Sequence, residues 1–184
     1  FERTFRYDEV LPGYGTRHGV LRSADPRTVH APPLMWSDAL DRMMADLARE
    51  PGVDWRRLRA ISGSAQQHGS VYVNARAGQR IGALDGAQPL AGQLGDIFSR
   101  TTSPIWMDSS TTRQCAEIEE ALGGARALAR LTGSRAFERF TGPQIRKFFQ
   151  EDPRGFADTC RVHLVSSFLA SLLAGQHAPI DPGD

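Results

Sequence analysis

Cysteine is nearly missing from this chain, which holds two, Cys115 and Cys160, in 184 residues. Two thiols are too few for a disulfide framework and fit no metal-ligand spacing, so free thiols in a reducing compartment are expected. Long runs of like charge are also missing. With 22 Lys+Arg against 21 Asp+Glu the net charge is +1, which gives no electrostatic reason to expect nucleic acid or an anionic membrane as partner. The most apolar stretch, 164–174, is too short to span a bilayer and carries Ser166, Ser167 and Ser171. No signal peptide is seen, and a soluble, cytoplasmic protein is expected. Neither G-x-x-x-x-G-K-[ST] nor G-x-G-x-x-G occurs, so the common glycine-rich phosphate cradles are excluded. Internal repeats and low-complexity tracts are absent too.

What is present is enough for one domain with a sizeable core; 40% hydrophobic and 23% charged residues are ordinary for a globular protein. The stretch A-I-S-G-S-A-Q-Q-H-G-S-V-Y-V-N over 60–74 is the most informative. It reads as an apolar strand, 58–61, that breaks into Ser62-Gly63-Ser64, presents Gln66, Gln67 and His68, and turns at Gly69 into a second strand, 70–73. A buried strand ending in small polar residues leaves polar groups where open α/β sheets bind ligands. Two amides and an imidazole supply donors and acceptors without fixed charge, which suits a neutral polyhydroxylated ligand. The same residues also fit a polar hairpin whose groups bond one another.

Elsewhere, F-E-R-T-F-R-Y over 1–7 alternates as a half-buried strand does, and a strand at the very start suggests that something precedes it in the natural protein. Residues 11–30 predict a long loop holding His18 and His30. Trp36, Leu40, Met43, Met44 and Leu47 share one helix face, begun after Pro32 and ended by Pro51-Gly52. A turn at 77–79 opens a stretch with little periodicity. Pro104-Ile105-Trp106-Met107 predicts a short buried strand ending at Asp108, with Trp106 read as core ahead of a stacking platform. Thr111 and Gln114 have capping-box spacing at the head of a helix that Gly123-Gly124 stops. A second short helix, 125–131, closes at Gly133. Pro143 marks a third, with Ile145, Phe148 and Phe149 on one face. His163, read as structural, precedes a core helix over 164–173 that Gly175 ends. Ala178-Pro179-Ile180 resembles the start of another strand. Helices alternating with strands predict an α/β fold.

I-S-G-S-A-Q-Q-H-G-S-V-Y resembles the first sugar-binding motif of xylulokinases, in the FGGY family of carbohydrate kinases, and is closer to the branch with Q-Q-H-G than to that with Q-M-H-G. L-P-G-Y-G-T-R-H-G-V, S-P-I-W-M-D-S-S-T-T and A-F-E-R-F-T-G-P-Q-I-R-K agree in the expected order, so the resemblance runs along the whole chain. It implies a ribonuclease H-like (actin-like ATPase) domain, incomplete, with a mixed sheet and flanking helices. Residues 1–184 would be part of the N-terminal sugar-kinase domain, without its first strands, its phosphate hairpin or the C-terminal domain.

The implied reaction is ATP-dependent phosphorylation of D-xylulose to D-xylulose 5-phosphate, with Mg²⁺, in the full-length enzyme. The resemblance places sugar contacts at His68 and Arg139, with Gln67 and Asp108 as neighbours. Asp108 fits a sugar acceptor and a helix cap equally, and Gln66 reads as scaffold. The catalytic base is expected beyond residue 184, and none of Asp108, Asp181 or Asp184 is a good substitute. No cofactor-binding or metal-binding residue is expected in this chain, which alone should be inactive. Gln67 stands where many members carry Met, so a kinase for another ketose or polyol stays open. A non-catalytic sugar-binding module is the reading from a different class.

Overall fold

Four consecutive residues, Ser70–Val73, are buried on both faces and form the strand β2 around which the core is built. Two β-branched valines and an aromatic suit a strand with no solvent face. Burying side chains of this kind contributes about 1.5–3 kcal/mol each. The computed structural model describes residues 2–183; Phe1, the start of the expected first strand, and Asp184 lie outside them.

β2 pairs antiparallel with Arg161–Leu164, here β4, with Val71 opposite His163 and Val73 opposite Arg161. A second small ladder joins His30–Ala31 (β1) to Ser103–Pro104 (β3), also antiparallel. The architecture is therefore mixed α/β, but among the described residues the expected mixed sheet is replaced by two separate antiparallel pairs.

Helices close both sides. Pro33–Ala48 (α2) takes in the second of the two prolines expected to precede it, and buries Met35, Trp36 and Ala39. Val165–Ala174 (α9) follows β4 directly, buries Phe168 and Leu172, and stops at Gly175 with φ 66°, a backbone state that glycine adopts without penalty. Met35, Trp36, Val71, Val73 and Phe168 belong to one cluster. Thr112–Ala121 (α5), Ala125–Thr132 (α6) and Thr141–Glu151 (α7) form a second helical layer. Phe148 of α7 meets the Tyr72 ring at 5.1 Å. The Arg100 guanidinium lies over both rings, at 5.1 Å and 4.8 Å, a favourable cation–π arrangement. Short helices Tyr7–Val10, Ala77–Gly82, Leu90–Leu94 and Pro153–Asp158 fill the connections. No helix among the described residues is long and apolar enough to cross a membrane.

Several expectations fail for local reasons. Residues 58–61 are not a strand: Leu58 and Ile61 are exposed. Residues 59–67 make no backbone–backbone hydrogen bond among the described residues. A strand needs a neighbour, and β2 has taken β4 instead. The alternating 1–7 stretch runs into a helical turn at Tyr7, and 178–180 are not a strand. The capping box does not form because Thr111 Oγ donates instead to the Glu138 carbonyl, at 2.6 Å. Phe149, expected on one face with Phe148, is exposed while Phe148 is buried.

Candidate functional site

Gln67 and His68 reach the surface on the turn that leads into β2. His68 has φ 61°, the left-handed region that non-glycine residues occupy at a cost. The next residue holds it there. Gly69 packs under α9 so closely that an added Cβ would meet Val165 Cγ2 at 2.8 Å, and its carbonyl accepts the Val165 N–H at 3.1 Å. The backbone of His68 is thus fixed by β2 and by the head of α9.

Arg139 arrives from the other layer, on the segment between α6 and α7. That segment is fastened through the Glu138 carbonyl, which accepts from Thr111 Oγ and, at 3.1 Å, from Gln144 Nε2. Gln144 Nε2 also donates to Asp108 Oδ1 at 2.7 Å. Arg139 itself is exposed, and no ion pair holds it among the described residues.

Gln67, His68 and Arg139 converge with Gln66 and Trp106 on one cleft of about 300 Å³. Two carboxamides, an imidazole and a guanidinium fork make a wall rich in donors, with the indole as its apolar face. Trp106 is the residue that sequence reasoning misplaced. It is 50% exposed, because the chain turns after Ile105, the last residue of the apolar run to be buried. Gln66 also lines a larger neighbouring cavity of about 650 Å³, between α2, α9 and the N-terminal segment.

Asp108 stands apart. Its side chain is wholly buried and accepts from Val29 N–H at 2.9 Å, Ser110 N–H at 3.0 Å and Gln144 Nε2 at 2.7 Å, with His30 Nε2 3.5 Å away. Ser110 Oγ donates to it at 2.6 Å and accepts from Lys147 Nζ at 2.7 Å. Burial alone would raise the Asp108 pKa; the contacts with His30, Ser110 and Gln144 outweigh it and hold the carboxyl far below its usual range. It lines the adjoining cleft shared with Trp106 and Arg139. Its oxygens face these partners and tie the segments around residues 29, 110 and 144 together. His30, expected as a loop histidine, belongs to this knot.

Among the described residues no group of three His, Cys, Asp or Glu side chains is placed to hold a metal ion.

A crystal structure of a xylulose kinase from Brucella ovis overlays on 82% of this chain, and 26% of its own, with a TM-score of 0.62 at 22% sequence identity. The fold is that of part of a carbohydrate kinase. In sequence, the chain is 48% identical over all 184 residues to the xylulose kinase of Mus musculus. It is also 48% identical over 179 residues to xylulose kinase 2 of Arabidopsis thaliana. The chain is thus homologous along its whole length to a segment of xylulose kinases. It spans about a third of the length of these relatives, 33% and 32% respectively. No family model matches the chain.

Proposed function

We propose that this chain is the sugar-binding part of an ATP-dependent kinase that converts D-xylulose to D-xylulose 5-phosphate. It would lie in the N-terminal, ribonuclease H-like domain of an FGGY-type enzyme. The observation that carries the reading is the meeting of Gln67, His68 and Arg139, from segments distant in sequence, on one cleft walled by Trp106. In this reading His68 and Arg139 hydrogen-bond sugar hydroxyls, Gln67 adds a carboxamide, and the Trp106 indole covers the apolar face of the carbon chain. Asp108 acts one step back, fastening the segment that carries Arg139. These residues bind and orient the sugar, which is the part of phosphoryl transfer that positioning supplies. The base that takes the hydroxyl proton, and the groups for ATP and Mg²⁺, belong to the rest of such an enzyme. The homology to xylulose kinases favours D-xylulose over other ketoses and polyols.

The test is kinetic, in the full-length enzyme. His68→Ala and Arg139→Ala should each lower kcat/KM for D-xylulose by about one to two orders of magnitude, the scale of one or two lost hydrogen bonds. The KM for ATP should stay within a factor of about two. If both variants keep wild-type sugar kinetics, the cleft is not the sugar site.

A further inference from the structure

The two proposed sugar contacts come from different layers, and one side chain joins them. Phe140 follows Arg139 directly and is the N-cap residue of α7. Its ring lies 4.9 Å from the His68 imidazole, centroid to centroid, with the planes tilted by 43°. On its other side the Phe137 ring sits 5.2 Å away, edge on, and the Arg135 guanidinium lies 5.3 Å from the Phe137 centroid. These separations fall in the range where aromatic pairs attract beyond simple area burial.

We infer that Phe140 is a positioning residue that sets the His68 imidazole against the sugar and fixes its distance from Arg139. The inference rests on the sugar-site reading above. Gly69 fixes the backbone of His68 from the β2 side. Phe140 bounds the imidazole from the α7 side. Its own backbone is held as well: its N–H donates to the Phe137 carbonyl at 3.0 Å and its carbonyl accepts from Gln144 N–H at 3.3 Å. Gln144 is fully buried and bonded to Asp108. The chain of contacts therefore runs from the buried Asp108 through Gln144 and Phe140 to His68. An imidazole held in one rotamer loses less freedom when the sugar binds, so the effect belongs in sugar affinity.

The experiment compares Phe140→Leu, Phe140→Tyr and His68→Ala in the full-length enzyme, with Phe140→Leu also made in the His68→Ala background. Phe140→Leu keeps apolar volume but loses the ring, and should raise the D-xylulose KM about three- to ten-fold with the ATP KM unchanged. Phe140→Tyr keeps the ring and should restore wild-type sugar KM. With His68 already removed, Phe140→Leu should add nothing. An unchanged sugar KM in Phe140→Leu, or an equal rise with and without His68, overturns the inference while leaving the sugar site standing. If His68→Ala itself is silent, His68 is no sugar contact and this inference is overturned, while the sugar-site reading falls only if Arg139→Ala is silent too. Should Phe140→Leu not fold, the wild-type His68 imidazole resonance decides. It should show contact with the Phe140 ring by nuclear Overhauser effect and a tyrosine-sensitive shift, and lack of both overturns the inference.

Discussion

A single hydrogen atom on Gly69 decides how the turn before β2 is built. Any β-carbon there would meet Val165 Cγ2 at 2.8 Å and Gln66 Cγ at 3.3 Å. Gln66 is a flexible side chain able to move. Val165 is buried, so the clash with it is relieved only by shifting α9 or the turn. Gly69→Ala should therefore destabilise by about 1–3 kcal/mol, the usual cost of overpacking a filled site. The check is a urea titration of the variant beside Gly69→Ala with Val165→Ala. The double variant should recover much of the loss, and failure to do so would mean that the glycine serves another purpose. Because His68 adjoins this residue, the single variant should also weaken sugar binding in the full-length enzyme. At the same scale lies the knot around Asp108, whose role the amino-acid pattern left open between sugar acceptor and cap. Its partners in the structure lie far away in sequence, at Val29, Gln144 and His30, and no local motif announces those.

Among the elements, β4 and the segment after α9 carry a histidine pair, His163 and His177, with a consequence for acid stability. His163 is 1% exposed. Its Nδ1 meets Ser167 Oγ at 3.2 Å and its Nε2 meets His177 Nδ1 at 3.0 Å. Burial, then the neighbouring His177 and Arg161, push the His163 pKa down from 6.5 to about 4. His177 is shifted in the same direction, again chiefly by burial. The unfolded chain therefore binds protons that the folded chain refuses. Stability is full above 6.5 and falls as the pH drops toward about 4, by an amount on the order of 3 kcal/mol for His163. Denaturation midpoints across that window should decline steeply in the wild type and less in His163→Phe. Equal slopes would remove the histidine from the account. Elements whose signal is local were readable in advance: α2 from its stripe and flanking prolines, α6 from Gly133, α9 from its apolar face and Gly175. Strand β2 was readable from its composition, but its partner was missed: Arg161-Val162-His163-Leu164 alternates polar with apolar, yet the run is only four residues long and passes directly into the apolar α9. The same reasoning explains 58–61, where apolar residues suggested a strand but the described residues supply no backbone to pair with. Trp106 was misread because an apolar run of four was taken as buried throughout, whereas the chain turns after Ile105.

For the molecule as a whole, the proposal implies a strict division of labour. The cleft offers sugar-binding donors, and the chain holds neither a phosphate-cradling glycine motif nor, among the described residues, a metal cluster. Phosphoryl transfer also demands a site closed against water, and one wall cannot close. The 184-residue chain mixed with D-xylulose, ATP and Mg²⁺ should release ADP at no more than the sugar-free background in a coupled assay. Sugar-dependent turnover near the full-length rate would show that the catalytic machinery lies here after all. The β2–β4 ladder has a further consequence, in the order of events after synthesis. Ser70 pairs with Leu164 across about half of the chain's length, so its closure carries a loop-entropy cost that local helices do not bear. Helices such as α2 and α6 can flicker into place early, while Gly69 finds Val165 only when that long loop has closed. His68 acquires its left-handed backbone at that same moment, which makes ligand competence one of the last properties a newly made chain acquires.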